Sequence, residues 1–506
     1  MKRIFAILLL LHVTIHVTAQ SSNPPIVSKD YKSWTTSSEL NRWLLELADI
    51  YTVEMRLYKG SKDVDLPIVV VPSVQENALT VMIIAEQHGD EPSGMEACNL
   101  LISELLSGEL ATWTDSVEWI IVPMVNAEGH DNNKRRKRNG ADLNHDHLIL
   151  SQPETRYLHN IYNRYMPDVF IDMQEYTFES ADETQLLQMR IQQQVGCITN
   201  INLLDAELDA LSHEFILPHV DQNLKKSKIS FSEFLIGSGQ TGKNIRKGTV
   251  DIDDARHGLG GIGRSLSFTV QGLSGKNRND SIFYRTQAQF KCLISLVECC
   301  QIKKDVIKKR VQFNRDNAVY NPNPTVSIQM DHFAPNVNQQ APELKMNFWN
   351  IKSNLDTILE LGDLYLSEIR TVKAIETPMG YWISKKDNRL VNWVQNHEAG
   401  IFPFTLGNNK KGKENEISDN TFLQCISALP EWQVKTLEGI HVPSWKPEWI
   451  EMKGPSTKDY IFISTQTVNG LRWVMALEPE SMFSLVRYPE FEYLRYQYPI
   501  LRVTSR

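Results

Sequence analysis

Long apolar runs are scarce in this 506-residue chain. Beyond a short stretch at the very beginning, no segment reaches the roughly 20 consecutive apolar residues that a bilayer crossing requires, which argues against a membrane span in the mature chain. Cysteine is sparse as well, with six residues at Cys98, Cys197, Cys292, Cys299, Cys300 and Cys425 and none at zinc-finger spacing. Cys98, Cys292 and Cys299 fall in helical patterns, where a free buried cysteine behaves as a small apolar residue. One or two disulfides stay open to a chain that is exported, but a fold of this size does not depend on them. A basic surplus is also missing: 53 Lys and Arg stand against 61 Asp and Glu, a formal net charge of -8, which argues against a protein that coats nucleic acid. There is no internal repeat. There is no Gly-x-Ser-x-Gly elbow either, which disfavours a serine hydrolase on an α/β sheet.

What is present is an ordinary globular composition, 42% apolar and 23% charged. The length exceeds that of one hydrophobic core, so two domains, or one large domain with an appended module, are expected. The chain opens with Lys2-Arg3, an apolar run from Ile4 to Leu11 and a small-residue site at Val17-Thr18-Ala19. That pattern reads as a secretory signal peptide over residues 1–19, hence an exported protein, periplasmic or extracellular. A short membrane anchor is the alternative.

Leu40, Trp43, Leu44 and Leu47 recur at i, i+3, i+4 and i+7 and predict an amphipathic helix between Ser37 and Ala48. Apolar runs at 66–72, 79–85, 117–123 and 168–173 alternate with helical patterns near 92–106 and 153–165. The alternation predicts an α/β fold with a mixed, mostly parallel sheet flanked by helices, in which ligands gather on the loops leaving the carboxyl ends of strands. A further helix is expected over 281–300. The breaker cluster Asn321-Pro322-Asn323-Pro324 places a boundary near 305–325. One domain is therefore expected over 20–310 and a smaller mixed, β-rich C-terminal region over 325–506, with strands at 368–376, 380–384 and 460–466. Asn408 to Glu416 reads as a mobile surface loop.

The chemistry begins at Glu86-Gln87-His88-Gly89-Asp90-Glu91, where an apolar strand ends in His-x-x-Glu. An imidazole and a carboxylate three residues apart on such a loop can turn onto one divalent ion, and that donor pair suits zinc. Alone it is equally an ordinary surface turn. Downstream come Pro123-Met124-Val125-Asn126-Ala127-Glu128-Gly129, the basic stretch holding Arg135, Arg136 and Arg138, then Asn139-Gly140-Ala141-Asp142-Leu143-Asn144 and Pro167 to Asp172. In this order the motifs resemble the zinc carboxypeptidase family, the carboxypeptidase A-like metallopeptidases. Ser267-Phe268-Thr269-Val270 is similar to the strand before that family's catalytic glutamate.

The resemblance implies one zinc ion held by two histidines and a glutamate, polarising a water and the scissile carbonyl. It makes His88 and Glu91 the first two metal ligands, Arg135 the residue that steadies the oxyanion, and Asn144 and the position after it substrate-binding. Arg135 is also one member of a solvated basic run, so its register stays open. Three positions depart from the pattern. Gln174 stands at the third metal ligand, where an amide oxygen is a much poorer donor than imidazole unless Glu175 or His145 rotates in. His145 stands where an arginine would pair with the substrate's terminal carboxylate, and histidine lacks the bidentate fork. Gln271 stands at the general base, where an amide has no useful basicity and the loss removes about 10²- to 10⁴-fold of rate. No tyrosine lies near 249, where a substrate-binding tyrosine is expected.

Strand alternation aims Glu175 at the face opposite Gln174. The acidic run at Asp251, Asp253 and Asp254 is the other source of a substitute base, and also reads as a solvated turn. His213, His219 and His257 read as surface or core residues. Two functions follow: an exported peptidase acting on the C-terminal residue of peptides or peptidoglycan stem peptides, with its activity weak or lost, or a non-catalytic protein that binds a peptide or other carboxylate ligand.

Overall fold

The computed structural model describes residues 23–51, 54–61, 64–176, 189–191, 195–199, 205–233, 235–237, 245–274, 281–334, 345–350, 355–360, 365–398, 421–428, 434–437, 440–443, 447–452 and 459–505. The signal pattern at 1–19 and the loop expected at 408–416 lie outside them.

An eight-stranded sheet organises the first half. Its order across the sheet is Glu54–Ser61, Val64–Val71, Val117–Val122, Leu79–Ala85, Val169–Tyr176, Leu266–Leu273, Val195–Thr199 and Phe231–Glu233. The central strands Val117–Val122, Leu79–Ala85, Val169–Tyr176 and Leu266–Leu273 run parallel to one another, and Phe231–Glu233 runs parallel to Val195–Thr199. The remaining pairs are antiparallel. Central parallel strands are covered on both faces, which is why they read as continuous apolar runs rather than alternating ones.

The period of two sorts these runs between two cores. Val81, Ile83, Ala85, Trp119, Ile121 and Ile171 face one layer, with Cys98, Leu101, Cys292 and Leu296 of the helices Ser93–Ser107 and Ile282–Ile302. Met82, Ile84, Ile120, Val122 and Phe170 face the other, under Leu158, Ile161 and Tyr162 of the helix Pro153–Tyr165. The helix Ser37–Ile50 starts at a capping box between Thr36 and Glu39 and buries the Leu40, Trp43, Leu44, Leu47 stripe predicted for it. Cys98, Cys292, Cys299, Cys300 and Cys425 are free.

The expected boundary at 305–325 is crossed by a helix, Lys304–Tyr320, whose Ile307 and Val311 complete the first core. Its buried positions Ile307, Val311, Arg315 and Ala318 form a thin stripe in a charged sequence, too sparse to announce a helix. The Asn321 to Pro324 breaker ends that helix. Beyond it, Thr325–Phe333 pairs with Glu368–Glu376. An antiparallel sheet follows, in the order Glu448–Met452, Thr421–Ala428, Leu501–Ser505, Gly380–Ser384 and Tyr460–Ser464. Its core also takes in Leu148, Ile149, Val250 and Ile252 from the first half. Trp393 Nε1 donates to the Leu148 carbonyl at 2.7 Å, and His397 Nε2 lies 2.8 Å from the same oxygen. The helix Asn388–Glu398 of the second half is thus fastened to the loop that follows the candidate site. Among the described residues, no helix is long and apolar enough to cross a membrane.

Candidate functional site

The loop that carries His88 and Glu91 leaves the carboxyl end of the strand Leu79–Ala85. Glu86 takes φ 58°, a left-handed conformation that costs a non-glycine residue about 1 kcal/mol or more and turns the chain out of the strand. The next constraint is close approach, since a Cβ on Gly89 would lie 2.1 Å from the backbone carbon of Gly129. Asn126 ties the same regions together: its amide nitrogen lies 3.1 Å from the Gln87 carbonyl and 3.2 Å from the Arg135 carbonyl, while its side-chain oxygen accepts from Gly129 N. The Pro123 to Gly129 motif therefore braces the loop and brings Arg135 beside it.

His88 and Glu91 lie side by side, both 2% exposed, with His88 Nδ1 2.9 Å from Glu91 Oε1. His88 Nε2 is 3.1 Å from Asp142 Oδ1, and Arg135 Nη1 donates to Glu91 Oε1 at 2.9 Å. The second Glu91 oxygen accepts the backbone N–H of Glu175 at 2.8 Å. Burial disfavours the charged imidazole, but Glu91's charge and the contact with Asp142 outweigh it and raise the His88 pKa to about 9. Burial would likewise raise Glu91; the charges of His88 and Arg135 hold it below the ordinary carboxylate range. Asp142 is held far down by its bond to His88. The result is a closed ion network of His88 and Arg135 with Glu91 and Asp142.

The other half of the site is neutral at its two key positions. Gln174 and Gln271 are direct partners on adjacent parallel strands. Gln271 Nε2 donates to Gln174 Oε1 at 3.1 Å, and Gln174 Nε2 donates to Asp172 Oδ2 at 2.6 Å. Gln87 Nε2 donates both to the same Asp172 oxygen, at 3.0 Å, and to Asn144 Oδ1, at 3.1 Å. Burial, reinforced by the charge of Asp254, raises Asp172 to about 7.

A zinc ion of the expected kind does not fit these donors. His88 has a carboxylate at each ring nitrogen, and the Gln174 oxygen that would complete the ligand set is occupied by the Gln271 amide. Among the described residues, no three His, Cys, Asp or Glu side chains come together as a metal-holding group. Neither substitute ligand is available. Glu175 binds Arg285 and accepts from Ser93 N at 2.8 Å, on the far side of its strand as alternation requires. His145 Nδ1 lies 3.4 Å from Asp253 Oδ1, and that bond to Asp253, working against burial, raises its pKa to about 9. The candidate bases are also engaged: Asp254 accepts from His257 N at 2.7 Å, and Asp253 from the Tyr488 hydroxyl at 3.3 Å.

The structure thus brings His88, Glu91 and Arg135 together in one cluster and Gln174 with Gln271 in a second. It puts Asn144 in the buried network between them and leaves His145 48% exposed at its edge. Of the remaining histidines, His257 is a core residue, whereas His213 and His219 are part-buried on helical segments. Asp142 and Asp172 were not singled out from the sequence, although Asp142 sits two residues before Asn144 and Asp172 two before Gln174.

The α/β architecture with a parallel core, and with the charged loop at the carboxyl end of its strand, defines the class. Residues 40–177 match the model of the zinc carboxypeptidase family. The chain is similar to a probable carboxypeptidase 2 of Arthroderma benhamiae, 26% identical over 109 residues, which cover 21% of each chain. It is similar to carboxypeptidase 2 of Trichophyton rubrum at the same identity and length, covering 21% of this chain and 20% of that protein. The match thus spans about a fifth of these relatives. A solved metallo-carboxypeptidase from Pseudomonas aeruginosa overlaps 55% of this chain and 71% of its own at 16% identity and a TM-score of 0.42, a likeness too loose to bear on function.

Proposed function

We propose that this chain is an exported, non-catalytic relative of the zinc carboxypeptidases whose cleft holds the carboxylate end of a peptide without cutting it. The observation that carries this reading is the hydrogen bond from Gln271 to Gln174. It joins the positions at which the family resemblance expects a general base and a third metal ligand, and two neutral amides provide neither. Arg135, whose side chain is 45% exposed, Arg136 and the raised imidazole of His145 supply positive charge for a carboxylate ligand. A peptidoglycan stem peptide, with its free carboxylates, is a ligand of this kind, and the N-terminal pattern Lys2 to Ala19 suits a protein that meets it outside the cytoplasm.

The test combines three measurements on the purified mature protein. Metal content by mass spectrometry should lie far below one zinc per chain in the native protein and approach about one in a Gln174→His/Gln271→Glu double variant. Calorimetry should show a peptide with a free C-terminus binding more tightly than its C-terminal amide. Release of C-terminal amino acids should not exceed that of a Glu91→Gln variant. Zinc near one per chain together with peptide cleavage by the native protein would sink this reading. N-terminal sequencing of secreted protein should begin at Gln20.

A further inference from the structure

One cavity is lined by none of the residues assigned to the site above. It has a volume of about 950 Å³ and sits between the two halves of the molecule, walled by the helix Lys304–Tyr320 and the strands Thr325–Phe333 and Glu368–Glu376, with Val474 and Met475 from the helix Gly470–Leu477. That volume falls in the range of small-ligand sites, which also favour the seams between domains.

One charge in its wall stands out. Arg264 lines the cavity with φ 64°, held by a turn in which its backbone N–H donates to the Gly261 carbonyl at 3.0 Å. Among the described residues, its guanidinium has no carboxylate partner, and its buried Nε has no hydrogen-bond acceptor. Burial lowers its pKa, with only Tyr162 as a weak counterweight. The other charged pairs at the wall are already matched: Arg370 with Glu368, Arg310 with Asp205, His213 with Asp209. Glu214 is exposed at the rim. Arg264 is half-buried, and a cation whose buried Nε lacks an acceptor gains from a bound anion.

The rest of the lining says what carries the anion. Asn314, Asn317 and Asn321 recur along one face of the helix end and present amides, and Thr325, Ser327 and Thr371 add hydroxyls. Phe313, 46% exposed, adds an aromatic face at the same wall, with the Arg310 guanidinium 4.4 Å from its ring centre. Amides and hydroxyls that donate and accept, beside an aromatic ring, suit a polyhydroxylated ring. A planar guanidinium suits a carboxylate.

We propose that this cavity is a binding site for a carboxylate-bearing saccharide, with Arg264 gripping the carboxylate and the Asn314, Asn317 and Phe313 face seating the sugar ring. The proposal does not depend on the reading of the other cleft. It is tested by calorimetry on the full mature chain, using a uronic-acid disaccharide beside the neutral disaccharide of the same linkage and beside acetate. The acidic disaccharide should bind at least tenfold more tightly than either control. Arg264→Gln should weaken it by about ten- to a hundredfold, the loss of a charge-assisted bond, and Phe313→Ala by severalfold, with the free protein's unfolding midpoint unchanged in Phe313→Ala. If Arg264→Gln does not fold, Phe313→Ala decides alone. No saturable binding at about 10 mM, equal binding of the neutral disaccharide, or unchanged affinity in Phe313→Ala overturns the proposal. Acetate binding as tightly as the acidic disaccharide overturns the assignment to a saccharide.

Discussion

The two halves of the candidate site obey different physics. Around His88, Glu91, Arg135 and Asp142 every group is charged and each cation meets a carboxylate. In the other half, the paired positions on the two central strands hold amides bonded to each other. A charged cluster survives burial only when its charges compensate, so the first half constrains its own members tightly. An amide pair makes weaker demands: it carries no charge that burial must compensate.

The comparison can be broken in three places. Glu91→Gln removes a buried carboxylate that meets both His88 and Arg135, and should cost about 3 kcal/mol of unfolding free energy in denaturant titrations. A loss below about 1 kcal/mol would show that the network carries little stability.

Glu96 sharpens the contrast, because it is equally buried but has no cation beside it among the described residues. It accepts from Thr35 N at 2.7 Å, from the Thr35 hydroxyl at 3.0 Å and from Asn99 at 3.0 Å. Burial outweighs these bonds and raises its pKa to about 7, whereas Glu91, with cations, is lowered. A carboxyl raised on folding favours the folded state below its ordinary pKa, near 4.5, and that advantage is lost as pH rises through about 7. Native protein should therefore lose on the order of 3 kcal/mol between pH 4.5 and 8 relative to a Glu96→Gln variant. Parallel stability–pH curves for the two proteins would contradict the assignment.

The smallest effect belongs to the amide pair. Gln271→Ala deletes one neutral hydrogen bond and should cost about 1 kcal/mol, measured by the same titration. A loss as large as that of Glu91→Gln would mean that the two halves are not energetically distinct.

Much of the first half was legible in advance. The strands over 79–85 and 117–123 and the helices over 92–106, 153–165 and 281–300 emerge within a few residues, because central parallel strands and amphipathic helices have strong periods. The helix Lys304–Tyr320 was missed because only a sparse stripe of it is buried. The second core was only partly foreseeable: nothing in the local pattern of Val250 or Ile252 says that they pack with Trp473 and Phe483.

The site divides in the same way. By itself the sequence determined which chemistry is possible: a histidine and a carboxylate at 88 and 91, amides at 174 and 271, and a histidine at 145. Residue type settles basicity and donor strength wherever the chain places the group. Only the tertiary structure decided partnership: Asp142 beside His88 across 54 positions, Gln271 against Gln174 across 97, and Arg264 Nε with no acceptor among the described residues. Such contacts arise when distant strands and loops meet, and no local period encodes that meeting.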